Sequence, residues 1–327
     1  MITCTQRSAF YISLFVLLIS MMFFPSKSLI AATLHTIIVA DTLDGGIGAD
    51  VDEAKIQKLE KKIRDATCLA LNPHVIDGGS VKRGGGGHDK VKETLTGLSV
   101  GPDDVVIFYY SGHGTNTGTG SIWPSLGVEG QSTPRSKLID LEWVKTTLEQ
   151  KNPRLFIAIA DACNVFLPGD GSRTRREMEK PDAYKKLFLD YSGSIVASSS
   201  IPDQYSHGDP QQGGYFTRAF LASLNKSLGS SNPNWDDIMN VAIKSIPTGS
   251  SEQPQQQPQA EVRVTKRRNG RRDPDPDWCE QPPPPVPTPV IPYRVKPKKG
   301  TCAKADYHWK NGQKCCWDRR GTERCFR

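Results

Sequence analysis

The run Val105-Val106-Ile107-Phe108-Tyr109-Tyr110 is apolar or aromatic throughout. A strand with one wet face alternates apolar and polar residues, so an unbroken run calls for a strand covered on both faces. Thr36 to Ala40, Leu155 to Ala160 and Ser194 to Ser199 read the same way, as buried strands. Asp50 to Thr67 carries Val51, Ala54, Ile56, Leu59, Ile63 and Ala66 at helical spacing behind an acidic first turn. His88 to Leu98, Ile139 to Lys151, Tyr215 to Leu224 and Trp235 to Ile246 are further predicted helices. His74 to Asp77 is a brief second strand, and Ala260 to Val264 is read as a last one. Buried strands alternating with helices place the chain in the α/β class with a mainly parallel sheet. The glycines at 84–87 lack the Gly-Lys-Ser/Thr ending of a phosphate loop and read as a connection.

The ends of the chain differ from this body. Ala9 to Phe24 is largely apolar, follows Arg7, and stops at Pro25. Ser26 and Ser28 then stand at the −3 and −1 positions of a cleavage site, so residues 1–28 are expected to be an export signal. The alternative is a membrane anchor made from the same run. Either way the body is expected outside the cytoplasm, periplasmic or extracellular, where disulfides persist. The formal charge of +7 is concentrated in the tail. Residues 294–327 hold 11 Lys and Arg against 3 Asp and Glu, whereas 29–293 are slightly acidic, with 29 against 32. An acidic body argues against nucleic-acid binding.

Beyond Ile246 the pattern is lost. Residues 253–259 are rich in Gln and Pro, Lys266 to Arg272 is basic, and Pro282 to Pro292 is dense enough in proline to form an extended spacer. The expected organisation is a signal over 1–28, a main domain over 33–266, a basic and Pro-rich linker over 267–299, and a Cys-rich basic module over 300–327. So short a module needs staples. Cys302, Cys315, Cys316 and Cys325 are expected to form two disulfides, with bonding between the adjacent Cys315 and Cys316 disfavoured by strain. Cys279 is then left over, free or paired with Cys68. Tyr307, Trp309, Trp317 and Phe326 lie among Lys and Arg, a combination suited to an anionic glycan or membrane surface. A disordered basic tail is the plain alternative.

Two loops that follow strands carry chemistry. One is Tyr110-Ser111-Gly112-His113-Gly114 and the other Asp161-Ala162-Cys163-Asn164. A cysteine becomes a useful nucleophile when a histidine accepts its proton or sustains its thiolate. The N–H groups of Gly114 and Cys163 are candidates for an oxyanion hole. A metal site is disfavoured, because His113 and Cys163 supply only two ligands and no C-x-x-C or H-x-x-x-H partner occurs. His35, His74, His88, His207 and His308 are taken as ordinary surface or loop residues.

With these motifs the chain resembles the caspase-like cysteine peptidases of the C14 family (clan CD), and metacaspases most closely. Tyr110 to Thr115 is similar to the metacaspase His motif, and Asp161-Ala162-Cys163 to its Asp-Ser-Cys motif, with Ala162 for Ser. The separation of 50 residues between His113 and Cys163 is that of caspases. Gly48 to Asp52 resembles the segment after the family's first strand, and Ser198-Ser199-Ser200 with Gly214 to Thr217 its small-subunit strand and helix. Asn164 stands where metacaspases usually have His. The resemblance implies a three-layer α/β/α sandwich over about 33–266, and a His113–Cys163 dyad that hydrolyses peptide bonds without a required cofactor. It implies that Asp52 and Asp161 line a pocket for Arg or Lys, since Gly46 and Asp161 replace the Arg and Gln with which caspases hold Asp. It also implies nicking between the Cys163 and Ser194 strands, where Arg173, Arg175 and Arg176 offer basic sites. The basic run at 266–272 is a second such site. Some metacaspases are activated by calcium, but Asp182, Asp190, Asp203 and Asp209 have the spacing of no calcium loop. A caspase-fold scaffold or binding protein without activity is the alternative reading.

Overall fold

The computed structural model describes residues 32–43, 46–78, 86–118, 120–164, 180–246 and 256–267, together with the backbone of 307–310, 313–317 and 323–326. The central sheet contains β1 (Thr33–Ala40), β2 (Ala70–Asp77), β3 (Val105–Gly112), β7 (Leu155–Ala162), β8 (Tyr191–Ser198) and β11 (Gln259–Lys266). Its order is β11-β8-β7-β3-β1-β2. Five strands are parallel and β11 runs antiparallel to β8 at one edge.

The alternation hidden in the apolar runs becomes visible here. Val105, Ile107 and Tyr109 enter one core while Val106, Phe108 and Tyr110 enter the other. Leu155, Ile157 and Ile159 divide from Phe156, Ala158 and Ala160 in the same way. Helices α1 (Ala49–Thr67), α4 (Pro181–Leu189), α5 (Tyr215–Leu228) and α6 (Trp235–Lys244) close the first core. Helices α2 (Gly87–Gly97) and α3 (Leu141–Lys151) close the second. The result is a three-layer α/β/α sandwich, the architecture that the resemblance implied. A small sheet of β4 (Gly114–Thr115), β5 (Ser125–Leu126) and β6 (Ile139–Asp140) lies on the α2–α3 side, and β9 (Gly208–Asp209) pairs with β10 (Gly213–Gly214) just before α5.

Several expectations are corrected. Strand β2 starts at Ala70 and runs through Pro73, which an edge strand tolerates because one side of its ladder is unused. Ile139 and Asp140 pair with Leu126 and Ser125, so the helix begins only at Leu141. Helix α4 was not anticipated. Its charged residues interrupt the pattern, yet Pro181 suits the first turn and Tyr184, Leu187 and Phe188 are buried. His35 in β1 and His88 in α2 are buried rather than ordinary surface or loop residues, and His207 is a loop residue but a buried one. His35 can be buried because its two ring nitrogens lie 3.1 Å from Asp104 Oδ2 and 3.0 Å from Asn72 Nδ2.

The chain divides into two compact units, 1–280 and 281–327. In the second, β12 (Tyr307–Lys310), β13 (Gln313–Trp317) and β14 (Glu323–Phe326) form an antiparallel sheet in that order, with Cys315 opposite Cys325. The expected signal segment, the Pro-rich linker and Cys302 lie outside the described residues.

Candidate active site

Gly112 of β3 is the register partner of Ala162 of β7. His113 and Cys163 therefore leave neighbouring parallel strands at the same level, at the carboxyl end of the sheet where α/β folds place their sites. The His113 carbonyl accepts hydrogen bonds from the buried Tyr110 hydroxyl (2.6 Å) and the Gly127 N–H (2.8 Å), which fix the loop. Gly114 lies against the Cys163 carbonyl and the Ala162 methyl, so a side chain at 114 would collide with the backbone of Cys163. This close approach is why a glycine stands there, and it brings the backbones of the two candidate oxyanion donors together.

Two clefts meet at the pair. One, of about 360 Å³, is lined by Gly46, Ser111, Asp161, Ser206, His207 and Gly214 among others. The other, of about 340 Å³, is lined by residues that include Asn116, Gln131, Thr133 and Arg135. His113 and Cys163 border both. A chain threaded from one cleft into the other would carry a peptide bond past the thiol.

Cys163 is a half-buried thiol. Its Sγ donates to the Ser206 carbonyl at 3.3 Å and accepts from the Ser206 N–H at 3.4 Å. The next residue, Asn164, is fully buried and donates from Nδ2 to the carbonyls of Ile122 (3.2 Å) and Ser200 (3.4 Å). The amide thus ties together the segments that carry Ile122 and Ser200.

Asp161 reaches the first cleft from the end of β7. Its Oδ2 accepts from the N–H (2.8 Å) and hydroxyl (2.7 Å) of Thr217 in the first turn of α5, and its Oδ1 from the Ser206 hydroxyl at 2.8 Å. Burial pushes this carboxyl up, against the pull of these bonds. Asp52, on α1, stands behind the cleft wall with no exposed surface. Its Oδ2 accepts from Ser111 Oγ (2.9 Å) and Gly214 N–H (2.8 Å), and Lys55 Nζ lies 3.7 Å from Oδ1. Burial, with Asp161 as a second carboxylate nearby, pushes it up to about 8. Gly213 abuts Asp52 and Gly214 abuts Asp161, so neither position has room for a side chain.

The structure thus brings together His113, Gly114, Cys163 and Asp161, with Asp52 one layer back. Arg173, Arg175 and Arg176 lie outside the described residues. So do Cys279 and Cys302, and nothing is described of the side chains of Cys315, Cys316 and Cys325. Cys68, at the end of α1, is disulfide-bonded. Asp182 and Asp190 stand at opposite ends of α4, Asp203 in the loop after β8 and Asp209 in β9, and among the described residues no group of three or more His, Cys, Asp or Glu could hold a metal. Ser206, His207 and Thr217 were not foreseen as site residues. The Gly213-Gly214 pair just ahead of a helix is a local sign of close packing, but no local pattern announces Ser206, whose contact with Cys163 spans 43 residues.

The caspase domain family matches residues 87–268, more than half of the chain, and the chain belongs to that family of cysteine peptidases. The match covers both strand ends of the site and begins after β1, α1 and Asp52. Among solved structures, caspase-1 from Spodoptera frugiperda is similar at 14% identity, covering 73% of this chain and 92% of that one with a TM-score of 0.42. No curated protein matches the chain.

Proposed function

We propose that the protein is an exported, metacaspase-type cysteine endopeptidase that cuts after Arg or Lys. The observation that carries this reading is the register of β3 and β7, with His113 and Cys163 at adjoining strand ends and Asp161 in the cleft they border. His113 accepts the thiol proton and the thiolate attacks the peptide carbonyl. The N–H groups of Gly114 and Cys163 receive the oxyanion, and water releases the acyl-enzyme. A cationic side chain reaching Asp161 is attracted in a partly dry cleft where an acidic one is repelled. The reaction itself needs no cofactor.

Export is supported by the N-terminal run and by the Cys68 disulfide. For the tail we infer a stapled module that holds an anionic glycan or lipid surface. Cys315 opposite Cys325 favours that bond, with Cys302 to Cys316 as the second. Non-reducing peptide mapping tests the pairing, and salt-sensitive binding to anionic vesicles tests the surface.

The test of the main reading is a panel of fluorogenic peptides ending in Arg, Lys or Asp, with and without calcium, on wild type, Cys163→Ala and His113→Ala. Cleavage after Arg or Lys that falls at least about 1,000-fold in either variant is expected, because groups acting as one unit fail together. Wild-type turnover in Cys163→Ala would overturn the dyad, and a wild type that cleaves no peptide of the panel would return the protein to the scaffold reading.

A further inference from the structure

Ser206 hydrogen-bonds both to the proposed nucleophile and to the proposed specificity carboxylate. Its N–H and C=O both meet Cys163 Sγ, while its hydroxyl donates to Asp161 Oδ1. The loop that carries it is pinned from behind by Gln256, which is 2% exposed. Gln256 Nε2 donates to the Ser199 carbonyl at 3.0 Å and to Ser206 Oγ at 3.4 Å, and Oε1 accepts from the His207 N–H at 3.0 Å. Asp161 is immobile in turn, since Thr217 binds its other oxygen twice. The Ser206 hydroxyl therefore fastens a peptide group that touches the thiol to a fixed anchor on the neighbouring strand.

The two contacts with sulfur have opposite effects. The carbonyl accepts from S–H and favours the thiol, whereas the N–H favours the thiolate. S–H is a weak donor, and an N–H bond to an anion is charge-assisted and stronger. Holding the Ser206 peptide in place therefore favours the thiolate overall.

We infer that Ser206 is a positioning residue, whose hydroxyl bond to Asp161 holds its own backbone N–H against Cys163 so that the thiolate is available for attack. The inference rests on the reading of Cys163 as nucleophile and goes beyond it, because it links the specificity carboxylate to the reactivity of the sulfur. The other titratable groups around the sulfur are His113 from the loop after β3, Asp161 from β7, His207 from the Ser206 loop and Arg135 across the second cleft. The buried Tyr110 of β3 also lies within reach of the charge on Cys163. Substitution at 206 leaves all of them in place.

The test measures iodoacetamide labelling of Cys163 in the full-length protein as a function of pH, read by mass spectrometry of the Cys163 peptide. Ser206→Ala is expected to move the labelling profile up by about one pH unit, a tenfold lower thiolate fraction at neutral pH. Its kcat on Arg peptides is expected to fall about tenfold while KM changes by less than about threefold. Ser206→Thr, which keeps the hydroxyl, is expected to restore both. Superimposable labelling profiles for wild type and Ser206→Ala overturn the inference, as does a Thr variant shifted as far as Ala. If Ser206→Ala does not fold, Ser206→Val is compared with the isosteric Ser206→Thr, and equal profiles again overturn it. Labelling is read without substrate, so peptidase activity that survives Cys163→Ala would sink the nucleophile reading while the labelling profiles still decide the role of Ser206.

Discussion

Ser111 and Asp161 are register partners across β3 and β7, each two residues before a member of the proposed dyad. Ser111 passes a hydrogen bond back to Asp52, and Asp161 faces the cleft. The same two strand ends therefore carry the residues proposed for recognition and those proposed for chemistry, one pleat apart.

Asp52 should make stability depend on pH. Its carboxyl is raised to about 8, so between the ordinary carboxylate range and pH 8 the folded protein holds a proton that the unfolded chain has lost. Stability then falls as pH rises through that window, and the buried Asp161 acts in the same direction. Melting temperatures between pH 5 and pH 9 should decline for wild type and flatten for Asp52→Asn. A wild-type curve that rises across this range would contradict it.

Gly214→Ala should damage recognition through shape alone. A methyl there meets the Asp161 carboxylate, which Thr217 prevents from retreating. The expected cost is about 1–3 kcal/mol of stability, typical of overpacking, with a raised KM for Arg peptides. Thermal unfolding and steady-state kinetics measure the two effects.

Arg154→Ala should separate stability from activity. The side chain is buried just before β7, at the end of the sheet away from the site, and donates to the carbonyls of Asp103 (3.0 Å), Leu189 (3.2 Å) and Tyr191 (3.0 Å). Orphaning these acceptors should cost about 3 kcal/mol. At a temperature where the variant stays folded, kcat/KM should match wild type within about twofold.

Self-processing should leave a new N-terminus directly after Arg173, Arg175 or Arg176, or within 266–272. N-terminal sequencing of incubated wild type should find it, and Cys163→Ala should stay intact. An intact wild-type chain that cleaves Arg peptides would rule the processing step out.

Much of this was legible in the sequence because it depends on short windows. The runs at 105–110 and 155–160 announce strands buried on both faces, since nothing else accommodates unbroken β-branched and aromatic residues so cheaply. The glycines beside His113 and the Asp-Ala-Cys run name the members of the proposed dyad. Local pattern failed where long-range partners overrode it. Pro73 is acceptable only because β2 is an edge, Ile139 joins β6 only because Leu126 is opposite, and His35 is buried only because Asp104 meets it from 69 residues away.

The sequence by itself determined which residues are candidates for the chemistry and that they follow buried parallel strands. Composition and periodicity are local properties, readable without knowing what each strand lies beside. Only the tertiary structure decided that β3 and β7 are neighbours in a register setting Gly112 opposite Ala162, and that the Ser206 loop and the Gly213-Gly214 turn close over the carboxylates. Strand order and register are set by how two cores on opposite faces of one sheet fill with side chains from the whole chain. That condition is met by all the elements together, and no short segment records it.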